Sequence, residues 1–211
     1  TIKVFKNFGL YLFLSLICTG LLTQLLKHVI GRPRPNHASF DDAFEFKFFS
    51  LNSEFHSFPS GHTSTIFAVA LVVIFFIPKL KYFLLLLAGI VAFSRVVIGV
   101  HFFTDVLGGI VISYLGVKII KLLLDKHYPI KTFEKFELFF DYKISFSFII
   151  FFFIVIFFAV GSSIDIYFSN IFYYGNGQFW LQNNDGLTIF FRKIILRLIL
   201  VYTLILPILT M

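Results

Sequence analysis

Six apolar stretches punctuate the chain, at about Phe8–Leu26, Thr63–Ile77, Tyr82–Ile98, Val106–Leu124, Ile144–Val160 and Leu198–Met211. Several approach or exceed the roughly 18–20 residues that cross a bilayer as a helix. The pattern therefore predicts an all-α bundle of six transmembrane helices. The polar stretches between them differ in kind. PKLK, Pro78–Lys81, is a tight turn, residues 31–60 read as a long polar loop, and residues 125–143 as a charged connector. Residues 161–187, rich in Gly, Asn and Asp, read as a second long loop. No repeat and no soluble domain is visible. Residues 1–211 read as one integral membrane domain, with a core over 8–124 and a helical hairpin over 144–211.

Composition strengthens this reading. Hydrophobic residues make up 58% of the 211 and charged residues 14%, against roughly 45–50% and 25% in a soluble domain. The formal net charge of +7 would suggest nucleic acid in a soluble protein. Here it divides between loop lysines and a basic site, and no nucleic-acid partner is expected. The 33 phenylalanines read as lipid-facing bulk. Cys18 is the single cysteine, so it has no partner for an intrachain disulfide and reads as a small core residue. No small-residue cleavage site follows the first apolar run, so no cleavable signal peptide is expected.

Alternating spans sort the basic residues. Lys3, Lys6, Lys79, Lys81, Lys118, Lys121, Lys126, Lys131, Lys135 and Lys143 fall on one side. Lys27, Arg32, Arg34, Lys47, Arg95, Arg192, Lys193 and Arg197 fall on the other, three of them as candidate site residues. The lysine-rich side is expected in the cytoplasm and the opposite one outside. The chain opens at Thr1 and its only methionine is Met211. Its last apolar run would cover roughly 21 Å of a roughly 30 Å hydrocarbon core. Placing Thr1–Ile2 after Met211 would lengthen that run. The expectation is a permuted order, with residues near 130–211 belonging before residue 1.

Against this apolar background three polar clusters stand out, all on the outward side: KHVIGRPRP with Lys27 and Arg34-Pro35, PSGH over Pro59–His62, and SRVVIGVHFFTD with Ser94-Arg95, His101 and Asp105. Ionisable groups at membrane depth are costly and need a partner or a task. Lys27, Arg34 and Arg95 repel one another unless an anion sits between them. A phosphate supplies about two negative charges and oxygens suited to guanidinium contact. Ser60 and Gly61 stand where a helix begins, with backbone N–H groups and a helix dipole that favour an anion. His101 and Asp105 are four apart and share a helical face. A carboxylate on one imidazole nitrogen fixes the tautomer and leaves the other free to attack. His62, from another helix, can protonate a leaving oxygen. The set suffices for phosphoryl transfer by positioning and charge, with no metal and no cofactor expected.

These residues resemble the type-2 phosphatidic acid phosphatase superfamily, whose signature is K-x(6)-R-P, then P-S-G-H, then S-R-x(5)-H-x(3)-D. Lys27, Arg34, Pro35, Pro59, Ser60, Gly61, His62, Ser94, Arg95, His101 and Asp105 fill every specified position. The resemblance implies a six-helix membrane phosphatase forming a phosphohistidine at His101, with His62 as acid and Asp105 as orienter. It implies Lys27, Arg34, Ser60, Gly61 and Arg95 as phosphate ligands. It further implies a bacterial inner-membrane enzyme with its site facing the periplasm and a membrane lipid phosphate as substrate. Gly161–Trp180 looks like the loop of the hairpin that precedes the first motif in bacterial members, which supports the permuted order. The general look resembles lipid A, undecaprenyl pyrophosphate and phosphatidylglycerophosphate phosphatases, with lipid A favoured. A lipid phosphotransferase using the same histidine is the alternative, and a channel or scaffold a third class. Vanadium haloperoxidases share the site pattern but are soluble, which six apolar segments oppose.

Other polar residues read as ordinary. Arg32 is expected to be a solvated interface arginine, His28 an interfacial helix residue, and His37 and His56 surface residues. Asp41, Asp42, Glu45 and Glu54 read as a solvated loop. Leu187–Leu198, with Arg192, Lys193 and Arg197, reads as an interfacial helix end.

Overall fold

The computed structural model of the protein describes residues 2–36, 45–124, 162–175, 178–180 and 186. Four long helices come first: α1 (Ile2–Ile30), α2 (Gly61–Phe76), α3 (Lys81–Val97) and α4 (Phe103–Leu124). A fifth, α5 (Ser162–Phe172), leads into a two-stranded antiparallel ribbon of β1 (Tyr173–Gly175) and β2 (Gln178–Phe179). One-turn 3-10 helices lie at Ser53–Phe55 and Pro78–Leu80.

Each long helix follows an apolar run, and each helix end answers to a local signal. Ser60 caps α2, its hydroxyl accepting from the backbone N–H of Thr63. Pro78 opens the turn into α3, where its missing N–H costs nothing. Gly31 ends α1 with φ +59, a conformation that favours glycine. That residue turns the following arginines back toward the bundle. Asn7–Ile30, Pro78–Val97 and Phe103–Leu124 are long and apolar enough to cross a membrane, and Gly61–Phe76 is a shorter apolar helix.

Helices α1, α2 and α4 pack mutually, α3 lies chiefly on α2, and α5 rests on α3 and α4. Tyr11, Leu12, Ala68, Leu71, Val72, Phe75, Val117 and Ile120 form one apolar core between α1, α2 and α4. A second core, with Phe67, Ala92, Val96 and Val106, receives Phe168 and Phe172 of α5. Leu21, Leu25, Phe83, Leu86, Ile90, Leu122 and Leu123 stand exposed. In water such a surface would drive association, whereas in a bilayer it meets acyl chains.

Close backbone approach holds the interior together, as small residues do between membrane helices. A Cβ on Gly109 of α4 would lie 2.7 Å from the Ser60 carbonyl oxygen and 2.8 Å from Thr63 Cβ. Gly109→Ala must therefore push the α2 N-terminus away, at about 1–3 kcal/mol of overpacking. The expected outcome is a lower thermal midpoint in detergent, measured on the purified chain.

The first four helices follow the sequence expectation to within a few residues, except that α1 continues to Ile30 and so keeps Lys27 helical. The expected loop over 161–187 is corrected: it contains helix α5 and the ribbon. Gly, Asn and Asp at its edges suggested a loop. The inward face of α5 is also polar, with Asp165 and Ser169 buried where apolar residues would have marked a helix. The fifth and sixth spans, the connector 125–143 and the basic segment 187–198 lie outside the described residues, as do His37, Asp41 and Asp42.

Candidate active site

The C-terminal ends of α1 and α3, the N-terminal end of α2 and the turn before α4 converge on one cavity of about 430 Å³. Lys27, Arg34, Gly61, His62, Arg95 and His101 all line it. Thr23, Gln24, Ser64 and Thr65 continue its wall down α1 and α2. Among the described residues, three cations face this space and no carboxylate lines it. Such a wall favours an anion of more than one charge.

Each cation is placed by the chain around it. Lys27, in the last turn of α1, donates from Nζ to the His56 carbonyl at 2.6 Å. The segment bearing that carbonyl is tied to the arginine stretch: Arg34 N donates to Glu54 O at 3.0 Å and Ser57 N to Arg32 O at 3.0 Å. Arg95 lies in the last turn of α3, and its own carbonyl accepts from the N–H groups of Val100 and His101 at 3.2 and 3.3 Å. The turn that presents His101 is thus folded back onto the arginine.

His101 is buried, and burial is the main reason its imidazole is pushed down to about 4 from its ordinary value. Lys27 and Arg34 push the same way, while Asp105 opposes them. The ring is therefore neutral, with a lone pair, throughout the physiological range. This can be checked by NMR on histidine-labelled protein, taking as the His101 signal the one lost in His101→Gln. That signal is expected to stay unprotonated from neutral pH down to about pH 5, because protonation belongs near pH 4. Titration near the ordinary 6.5 would contradict the site geometry.

Asp105 sits behind the histidine and is fully buried. Its Oδ2 lies 3.6 Å from His101 Nδ1, just beyond hydrogen-bond length. The carboxylate is held from three other directions. Ser57 Oγ donates to Oδ2 at 2.5 Å, Phe102 N to Oδ2 at 2.8 Å and Arg32 Nη1 to Oδ1 at 2.7 Å. Since Asp105 flanks Nδ1, Nε2 is the ring nitrogen left to face the cavity.

The expectations for Arg32 and His56 need correction. Arg32 is not a solvated interface arginine: it is 0% exposed and forks between Asp105 and, through Nη2 at 2.8 Å, Asp165. Its guanidinium also lies 4.2 Å from the centre of the Phe102 ring. Ser60, expected among the phosphate ligands, lies behind the cavity wall. Its N–H donates to the Asp105 carbonyl at 2.9 Å, and its hydroxyl accepts from Thr63 Oγ1 at 2.9 Å. Gly61 and His62, which open α2, are both in the wall. His56 is half-buried rather than superficial, its ring 4.4 Å from that of His28. Glu45 and Glu54 are exposed.

Sequence reasoning missed Ser57, Thr104 and Asp165. Asp165 had a usable signal, since an aspartate within IDIYF is an ionisable group in an apolar stretch. Burial raises its carboxyl from the ordinary value, with Arg32 pulling the other way.

Residues 8–129 match the model of the PAP2 superfamily. A lipid A 1-phosphatase of Rhizobium johnstonii is 38% identical over 102 residues, covering 48% of this chain and 42% of that protein. One from Rhizobium etli is 37% identical over 102 residues, covering 48% and 44%. A phosphatidylglycerophosphatase B of Bacillus subtilis is 36% identical over 118 residues, covering 51% and 53%. The chain thus spans about half the length of the curated relatives it matches. No solved structure matches it significantly. The family match takes in all three polar clusters and more than half of the sequence, and the chain belongs to the PAP2 superfamily.

Proposed function

We propose that the protein is a membrane lipid phosphatase that removes a phosphate through a phosphohistidine at His101. The observation that carries this reading is one cavity lined, among the described residues, by three cations and two histidines without a carboxylate. Lys27, Arg34 and Arg95, with the N–H groups of Gly61 and His62, hold the phosphoryl oxygens. His101 Nε2 attacks phosphorus as the ester P–O bond breaks, and His62 gives its proton to the departing oxygen. Asp105, beside Nδ1, stabilises the charge that the ring acquires. Water then attacks phosphorus, His62 takes its proton, the P–N bond breaks and orthophosphate leaves. The cations stabilise charge on the transferring group, a role that metal ions fill elsewhere.

The two rhizobial relatives are named lipid A 1-phosphatases, which favours lipid A as substrate. The Bacillus relative, named phosphatidylglycerophosphatase B, favours a second reading, a phosphatidylglycerophosphate. Undecaprenyl pyrophosphate, or transfer to an acceptor lipid by the same histidine, remains within this chemistry. The apolar helices support a six-span bundle in a bacterial inner membrane, and the lysine distribution supports a periplasmic site. The test is orthophosphate release from lipid A, undecaprenyl pyrophosphate, phosphatidylglycerophosphate and phosphatidate in detergent. Release from at least one, inhibition by vanadate and indifference to EDTA are expected. No release from any, or strong inhibition by EDTA, would overturn the reading, and release only with an acceptor lipid present would make it a transferase.

A further inference from the structure

Asp165 belongs to none of the three clusters and lies beyond the residues matched to the family. Helix α5 nonetheless brings it to the start of α4, one residue from Asp105. Its carboxylate accepts from Thr104 N at 2.9 Å, Thr104 Oγ1 at 2.5 Å and Arg32 Nη2 at 2.8 Å. The first bond satisfies an orphan donor in the opening turn of α4, as a cap supplied by another helix. The last takes one arm of the guanidinium whose other arm holds Asp105. Asp165 is 1% exposed, and Arg32 and Asp105 are both 0% exposed.

We infer that Asp165 is a positioning residue for phosphoryl transfer, fixing Arg32 and the first turn of α4 so that Asp105 meets His101 in register. This rests on the proposed phosphatase reading. The physical reason is the fork. A guanidinium prefers to give both terminal nitrogens to one carboxylate. With Asp165 holding Nη2, Nη1 donates to Asp105 Oδ1 and to Thr104 Oγ1. Released from Asp165, Arg32 can turn both arms on Asp105 and draw that carboxylate from the histidine. The separation of 3.6 Å between His101 Nδ1 and Asp105 Oδ2 leaves little slack. A shift of a few tenths of an ångström decides whether that pair can form a hydrogen bond.

The experiment compares Asp165→Asn and Asp165→Ala with the unmodified full chain in detergent, on whichever lipid phosphate it hydrolyses. Misplacement of a catalytic group by about 1 Å can cost on the order of a hundredfold. The expected result is a kcat lower by about ten- to a hundredfold with KM within about twofold. In an Asp105→Asn background the same substitution is expected to lower kcat by less than about twofold, because the group it positions is gone. An equal loss in both backgrounds, an unchanged kcat, or an effect on KM alone overturns the inference. Asp165→Asn keeps the side-chain volume and provides the measurement if Asp165→Ala does not fold. If the unmodified chain frees phosphate from no lipid, the phosphatase reading fails by itself. The inference is then decided by the ¹⁵N resonance of His101 Nδ1, which should move in Asp165→Asn. An unmoved resonance overturns it.

Discussion

Replacing His101 with alanine is expected to reduce orthophosphate release from the lipid substrate by at least about a thousandfold, while substrate is still bound. Three features set the size of this effect. The ring is the cavity-lining group that offers a neutral nitrogen backed by a carboxylate. Its low proton affinity keeps that nitrogen unprotonated at neutral pH without a separate base. The cations proposed to hold the phosphate come from α1, the segment after it and α3, so removing the ring leaves the cradle standing. Binding and turnover should therefore separate. Vanadate should still protect the variant against thermal unfolding, while phosphate release falls to background. Retained release in His101→Ala would sink the covalent route, since a histidine that only assisted binding would raise KM and spare kcat.

The second large effect is expected at Arg32. Arg32→Met removes the buried cation between Asp105 and Asp165 and leaves both carboxylates without their shared counter-charge. Breaking a buried pair by deleting one partner costs about 3–5 kcal/mol, because the remaining charge is stranded away from water. Here two charges are stranded, so the midpoint of thermal unfolding in detergent should fall sharply. Where the variant stays folded, kcat should fall too, because Asp105 loses the donor at 2.7 Å that fixes Oδ1. Arg32→Lys separates the two contributions. It restores a charge but not a planar fork, since an ammonium cannot bridge two carboxylates in the same geometry. Stability should partly return and kcat should not. Recovery of both would mean that charge alone suffices and that the fork has no positional role.

How much of this was legible beforehand depended on whether a residue announced itself along the chain. Lys27, Arg34, His62, Arg95 and His101 stand at fixed spacings beside apolar runs, and the structure gathers all five around one cavity. Helices α1 to α4 were legible for the same reason, because long apolar runs leave the backbone no alternative to helix in a bilayer. Arg32 was misjudged because a Gly-Arg-Pro-Arg-Pro stretch at a helix end looks solvated. Only the fold shows that a carboxylate 133 residues further on meets it. Asp165 and Thr104 were hidden by that same separation. Ser60 is a different case. Its place at a helix start suggested an anion ligand, but the tight packing at Gly109 brings α4 against it, and its N–H goes to Asp105.

Helix α2 spans 16 residues, or roughly 24 Å at 1.5 Å per residue, against hydrocarbon of roughly 30 Å. If its far end reaches the opposite headgroups, its first turn would sit beneath the plane of the neighbouring headgroups unless the leaflet dimples to meet it. Under the phosphatase reading proposed above, a lipid phosphate would have to dip to reach that turn. Turnover is then expected to vary with the thickness of the surrounding bilayer, a mechanical property of the host membrane that no residue in the pocket encodes.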